Sequence, residues 1–293
     1  MLLFSYLLLA GITTGALYAL VALGIVVVNK ATGVINFAQG ELFMFSGFIA
    51  WMLHVQFGTA YPLALVAAVA AGFALGWLTD RVAFRPLIKA DVIALVLATV
   101  GISFVLKGLA RIIWGGKADY LSFPPITSPE PVMIGELMVI PQQLAVLAGA
   151  IAVMLIFAAF FRLTRAGKMM QATADNARAA QLVGIRTERI YTLAFGTGAA
   201  IAAAAAVLMA PLTLLYPDMG FPFFIKAFAA AVLGGLTSLP GAVLGGILIG
   251  IAESLAGGYI HSSFMEVSAF IVIMIVLVFR PTGLLGLVRA RRV

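Results

Sequence analysis

The sequence predicts an all-α polytopic membrane protein with about eight or nine membrane segments, some of them short or broken. Hydrophobic residues make up 63% of the 293 residues, and the mean hydropathy is +1.15. Charged residues make up only 10%, against about 25% in a typical soluble domain. Apolar runs long enough to cross a bilayer recur along the whole chain. Residues 1–293 are therefore expected to form a single transmembrane domain.

The first half of the chain predicts five spans, at residues 1–28, 42–55, 61–79, 92–113 and 142–161. The first run would measure roughly 40 Å as a helix, so it should tilt or break near Gly11 and Gly15. No lysine or arginine precedes Lys30, which indicates a retained span rather than a cleaved signal peptide. Residues 80–91 form a basic loop, and prolines exclude a regular helix from residues 115–141.

The second half of the chain is less regular. A sixth span is expected at residues 189–210, and apolar segments follow at 223–235, 241–258 and 263–279. The segment 223–235 is short for a span, so residues 223–258 form either two crossings or one re-entrant hairpin. Short segments interrupted by glycine and proline are typical of transporters, which line a pathway with exposed backbone.

The distribution of lysine and arginine predicts the orientation in the membrane. Most of these residues fall on one side when the polar loop 162–190 is placed in the cytoplasm. The C-terminus is then cytoplasmic and the N-terminus lies outside, whether residues 223–258 cross twice or fold back. The formal net charge of +7 is spread along the inner face. It therefore indicates membrane topology and excludes nucleic acid as the partner.

The polar loop 162–190 stands out in this apolar chain, because it holds six of the eighteen lysine and arginine residues. After a turn at Gly167, it predicts a short helix that begins at a Thr173 cap and stops at Gly184. Asp175 would lie in the first turn, and Thr187 would cap the next span. Small residues along the helix would let a partner approach closely: Ala174, Ala177, Ala179 and Ala180. The alternative is a loop that only orients the protein.

Four stretches of the chain together resemble one protein family. Residues 174–185, ADNARAAQLVGI, are similar to the coupling-helix segment of ABC importer permeases. Residues 34–41 resemble the INFAHGE motif of the branched-chain amino-acid permease family, residues 226–242 its glycine-rich segment, and residues 281–286 its C-terminal end. Their order and spacing are those of the H-type permease. Three residues depart from the family pattern: Gln39, Gln171 and Thr237.

The resemblance implies a function and a set of partners. The chain would be a permease subunit that works by alternating access in the inner membrane of a bacterial cell. It would act with an M-type companion permease, two ABC ATPase subunits and a periplasmic substrate-binding protein. The residues assigned to the ATPase-coupling helix are Ala174, Asp175, Asn176, Ala177, Arg178, Ala180 and Gly184. The resemblance implies branched-chain or related amino acids as the substrate, and because urea permeases look similar, urea or short amides are the alternative.

Polar residues inside the membrane segments are the candidates for a substrate pathway. A charge at the centre of a span costs about 2.5–3.5 kcal/mol on insertion scales, so such residues usually face a cavity or a partner. Lys226 and Glu253 either pair with each other or line a pathway for a zwitterionic amino acid. Asn36, Gln39 and Glu41 either line the pathway or form a helix cap with a packing turn.

The sequence contains no catalytic constellation, no metal-ligand pattern and no Walker A motif. It also contains no cysteine, which excludes thiol chemistry. We therefore expect a transport subunit without a cofactor and without enzymatic activity, for which separate subunits hydrolyse ATP. A stand-alone secondary transporter or channel, and a non-transporting scaffold, are the alternatives from other classes.

Overall fold

The computed structural model describes residues 2–88, 90–115, 120–128, 130–134 and 137–286. Helices dominate these ranges. In chain order they are α1 (Leu2–Thr32), α2 (Gln39–Trp51), α3 (Tyr61–Thr79), α4 (Val92–Trp114), α5 (Pro141–Leu163), α6 (Arg165–Asp175), α7 (Ala177–Leu182), α8 (Thr187–Met209), α9 (Gly220–Gly234), α10 (Leu239–Tyr259) and α11 (Phe264–Phe279).

Among the described residues, six helical segments are long and apolar enough to cross a membrane. They are α1, α3 with its extension to Leu87, α4, α5, α8 with its extension to Leu212, and α10. The apolar helices α9 and α11 are shorter, and α2 is prolonged by a π turn at Met52–Gln56. The prediction of an all-α membrane protein with some short segments is therefore confirmed.

Helices α1 and α8 form the centre of the bundle. In the most apolar window of α1, 89% of the residues are buried, against 17% in α4 and in α5. The alanine run of α8, from Ala202 to Ala206, is buried throughout. Small side chains let backbones approach closely in a bilayer, where packing rather than water exclusion holds helices together. The peripheral helices leave large apolar side chains exposed, as lipid-facing helices do.

Of the two alternatives for the long first span, a tilt or a break near Gly11 and Gly15, the break is not observed: α1 runs unbroken to Thr32. These glycines instead allow α10 to pack against α1, because a Cβ atom at Gly15 would lie 2.8 Å from the carbonyl oxygen of Gly246. The loop predicted at residues 80–91 is wrong over residues 80–87. They continue α3 as a π turn and a 3-10 turn, Asp80–Phe84 and Arg85–Leu87.

The proline-rich connection after α4 contains a feature that the sequence did not predict. Strands β1 (Val132–Ile134) and β2 (Leu137–Val139) pair antiparallel. A single bridge also joins Leu121 to Leu215, where the backbone N–H of each residue donates to the carbonyl oxygen of the other at 2.9 Å. This connection therefore covers the end of the bundle opposite the polar loop, against the turn between α8 and α9.

Candidate functional site

The polar loop folds into two short helices, not one. α6 begins at Arg165, where the Thr164 hydroxyl caps it by accepting a hydrogen bond from the Gly167 N–H at 3.0 Å. It ends at Asp175. Asn176 then adopts an extended backbone and caps α7, because its Oδ1 atom accepts from the Ala179 N–H at 3.0 Å. The break between the helices therefore depends on an asparagine cap, whose side chain supplies the acceptor that the first turn needs.

Four local assignments of the loop need correction. Thr173 is not a helix cap: it is buried inside α6, and its hydroxyl donates to the Met169 carbonyl oxygen at 2.9 Å. Asp175 is the last residue of α6 and not part of a first turn. Gly167 lies within α6 and makes no turn there, and Thr187 is the first residue of α8 rather than its cap. The predicted stop at Gly184 holds, with φ of +87°.

The two faces of α7 differ in exposure. Ala180 is 3% exposed and faces the body of the protein, whereas Leu182 is 85% exposed and Val183 is 76% exposed. Ala177 is half-buried and Arg178 is exposed. The small-residue face that the sequence suggested for a partner is therefore partly used inside this chain. Leu182 and Val183, at the end of α7, are the apolar side chains that remain exposed to a partner.

The base of the loop is fixed to the membrane helices by side-chain hydrogen bonds. The Gln171 amide donates to the Phe161 carbonyl oxygen of α5 at 2.6 Å. The Gln181 amide donates to the Thr187 hydroxyl at 2.8 Å, across the turn that precedes α8. α6 and α7 are thus held against α5 and α8, so a force on the loop would reach the membrane helices directly.

Lys226 and Glu253 form an ion pair between α9 and α10. Their side chains are 18% and 6% exposed, and the ammonium lies 5.7 Å from the centre of the Tyr18 ring. Within the described ranges, the second carboxylate oxygen, Oε2 of Glu253, has no hydrogen-bond partner. The pairing that the sequence left open is therefore observed.

The ion pair lies on the wall of a cavity of about 530 Å³. The cavity lies towards the end of the bundle opposite the polar loop. Most of its wall is apolar and comes from α1, the end of α8, the turn before α9, α9 and α11, for example Leu17, Met209, Phe223 and Phe270. Its other polar side chains are Thr14, Tyr18, Thr213, Tyr216 and Glu266. Both signs of charge thus face one space of a size common for small-molecule sites.

The other candidate residues lie elsewhere. Asn36, Gln39 and Glu41 are at most 2% exposed and do not line this cavity. Asn36 Oδ1 accepts from the Ala38 N–H at 3.1 Å, and the Gln39 amide donates to the Gly198 carbonyl oxygen of α8 at 2.9 Å. The Glu41 carboxylate lies against Gly220, the first residue of α9. These three residues therefore fill the junction of α2 with α8 and α9.

Two charged clusters were not found from the sequence. At the end near the polar loop, the Asp80 carboxylate accepts from Thr192 at 2.7 Å and contacts Arg85 at 3.4 Å. At the opposite end, Asp218 contacts Lys107 at 2.9 Å and Arg111 at 2.8 Å. Hydrogen bonds from these two basic groups lower the pKa of Asp218. The four-residue spacing of Lys107 and Arg111 places both on one face of α4, which is a usable sequence signal.

The described helices form a membrane bundle around a cavity that both signs of charge line, an arrangement typical of membrane transport proteins. The profile of the family described as "Branched-chain amino acid transport system / permease component" matches residues 7–279. The chain belongs to this family.

Known relatives agree with the family assignment. The chain is 33% identical to LivH of Escherichia coli K12, the "high-affinity branched-chain amino acid transport system permease protein", over 94% of this chain and 93% of LivH. It is 25% identical to the corresponding LivM protein of the same organism, over 94% of this chain and 69% of LivM. The solved structure of PsaBC from Streptococcus pneumoniae, in complex with Fab, superimposes with a TM-score of 0.52. That match covers 93% of this chain and 91% of the other at 14% identity, so it supports the fold alone.

Proposed function

We propose that this chain is the membrane-spanning permease subunit of an ATP-driven importer of branched-chain amino acids. The observation that carries the proposal is the full-length similarity to LivH, at 33% identity over 94% of the chain. The substrate class is inferred from the name of that relative. The cavity beside Lys226 and Glu253 fits it, because a zwitterion with an apolar side chain matches two opposite charges in an apolar wall.

The proposed partners follow from the same similarity. The chain resembles LivH and, more weakly, LivM, which favours a pair made of this H-type subunit and an M-type companion permease. Two ABC ATPase subunits would dock on the coupling loop, and a periplasmic substrate-binding protein would deliver substrate at the opposite end. The exposed apolar end of α7 supports the first of these contacts, since Leu182 and Val183 are open to a partner.

The proposed orientation places the coupling loop and the C-terminus in the cytoplasm of the bacterial inner membrane. The N-terminus then lies on the periplasmic side, and so does the cavity beside Lys226. In alternating access, this cavity would receive substrate from outside and release it inward when the ATPases move the coupling helices. Asn36, Gln39 and Glu41 would lie along the closing path near α9, where their unpaired atoms become available when the helices shift.

The substrate class is tested by competition in the assembled transporter. The chain is co-expressed with its companion permease, ATPases and binding protein, reconstituted in liposomes, and supplied with labelled leucine. Excess isoleucine or valine should suppress uptake of the label by roughly tenfold or more, whereas urea and acetamide should leave it unchanged, because neither carries both charges. Suppression by urea, with no effect of valine, would assign the site to short amides instead.

A further inference from the structure

A second groove, separate from the charged cavity, opens between α3 and α8 near the polar loop, where Gln181 at the end of α7 and Gly184 border it. It has a volume of about 1100 Å³. α3 and its extension contribute Phe73, Trp77, Arg81 and Arg85, and the start of α8 contributes Glu188, Arg189, Thr192 and Leu193. The turn between α7 and α8 closes one side with Arg186.

The chemistry of this groove changes along its length. Phe73, Trp77 and Arg81 recur every four residues, so they lie on one face of α3 from the membrane interior towards the polar loop. On α8, Leu193 lies deeper in the bundle than Arg189. Both walls of the groove are thus apolar at membrane depth and basic at the end near the polar loop. Trp77 is 43% exposed at the boundary, a position that tryptophan favours in membrane proteins.

Three of the four arginines that line the groove take no part in an ion pair of the described residues. Arg85 is occupied, because its guanidinium donates to the Thr192 hydroxyl at 2.7 Å and contacts Asp80. The other arginines, Arg81, Arg186 and Arg189, have no carboxylate within 4 Å in the part of the chain that is described. Arg81 lies over the Trp77 ring at 5.8 Å. Glu188 is the acidic side chain that lines the groove, against four arginines.

We propose that this groove binds one anionic glycerophospholipid, with its phosphate among Arg81, Arg186 and Arg189 and an acyl chain along Phe73 and Trp77. The arginine end matches a phosphate, because the guanidinium fork pairs with its oxygens. The aromatic wall matches an acyl chain and would give a water-borne acidic protein nothing to bind. Basic grooves between membrane helices on the cytoplasmic side are a known setting for lipid headgroups. The lipid would join α3 to the turn that follows α7 and so stabilise the base of the coupling loop.

The test compares lipids on the purified chain in detergent. Increasing amounts of phosphatidylglycerol should raise the melting temperature saturably, whereas phosphatidylcholine, glycerol phosphate and inorganic phosphate should not. In the double variant Arg186→Gln/Arg189→Gln, half-saturation should require roughly tenfold more phosphatidylglycerol or more. The matched control, Arg165→Gln/Lys168→Gln, removes two exposed charges from the same loop outside the groove and should respond as the unmodified chain does.

Several outcomes would overturn this proposal. Equal stabilisation by phosphatidylcholine would show a general detergent effect, and equal stabilisation by inorganic phosphate would show a simple anion site. The control variant Arg165→Gln/Lys168→Gln (the control pair) could lose as much lipid stabilisation as the variant Arg186→Gln/Arg189→Gln (the groove pair). That result would show that only the total charge of the loop matters. If the groove pair binds lipid normally but loses the ATPase subunits on co-purification, the groove is a protein contact. Should the groove pair fail to fold, lipid retained by the unmodified chain decides: native mass spectrometry should find phosphatidylglycerol bound one to one.

Discussion

Replacing Lys226 alone by methionine is expected to abolish transport and to lower the thermal stability of the subunit strongly. The substitution leaves the Glu253 carboxylate, 6% exposed, without its partner inside the bundle. Removing one member of a buried ion pair typically costs roughly 3–5 kcal/mol, because the remaining charge stays buried and unpaired. The double variant Lys226→Met/Glu253→Gln removes both charges and should recover most of the stability.

Transport by the double variant separates the two possible roles of the pair. If the charges recognise the substrate, the double variant folds but does not import leucine. If it imports leucine normally, the pair only stabilises the bundle and the assignment of the cavity is wrong. Lys107→Met is the matched control. Lys107, like Lys226, is a helical lysine in an ion pair, but its partner Asp218 is 49% exposed. Its loss should cost at most about 1 kcal/mol.

Placing a charge at the exposed end of α7 is expected to detach the ATPase subunits without unfolding the permease. Leu182 is 85% exposed and touches little of its own chain, so Leu182→Asp should leave the yield and melting temperature unchanged. An apolar anchor at the centre of an interface contributes roughly 2 kcal/mol or more, so ATPase affinity should fall about thirtyfold or more. Co-purification with the ATPases, measured beside the yield of folded permease, gives both quantities.

Two further variants show whether this effect belongs to α7. Leu163→Asp changes an equally apolar side chain, 77% exposed at the end of α5, and should keep the ATPases bound. Ala180→Trp should instead lower the folded yield, because Ala180 is 3% exposed and a larger side chain there would overpack the surrounding residues. ATPase binding that survives Leu182→Asp, with normal transport, would place the docking surface elsewhere on the loop.

Apolar patterning predicted the membrane helices well, for a physical reason. A backbone inside a bilayer must satisfy its hydrogen bonds within its own segment, so an apolar run of sufficient length can only be a helix. The start of α3 at Tyr61 was predicted correctly, although the helix continues past Thr79 through a π turn and a 3-10 turn to Leu87. The sequence could not decide whether α1 breaks near Gly11 and Gly15, because a glycine that weakens an isolated helix also permits the close contact that α10 makes with α1.

The polar loop was harder to predict because several of its residues can play the same part. Thr173 and Asn176 are both good helix caps. Packing decides between them, since Thr173 is buried and Asn176 is exposed. In the same way, a helix as short as α7 has no strong apolar periodicity, so the sequence could not tell that Ala180 faces inward and Leu182 outward. The sequence offered Glu253, 27 positions away, as a partner for Lys226 but left open whether the two pair, and the folded bundle shows that they do.

The measurement that tests the central claim most directly is ATP-dependent uptake by reconstituted permease. Liposomes carry this chain alone, this chain with its companion, or the pair with ATPases and binding protein, each with and without ATP. We predict leucine uptake only in the complete assembly and only with ATP, because this chain has no nucleotide-binding motif of its own. Leucine uptake by the chain alone, independent of ATP, would contradict the account and identify a stand-alone transporter or channel.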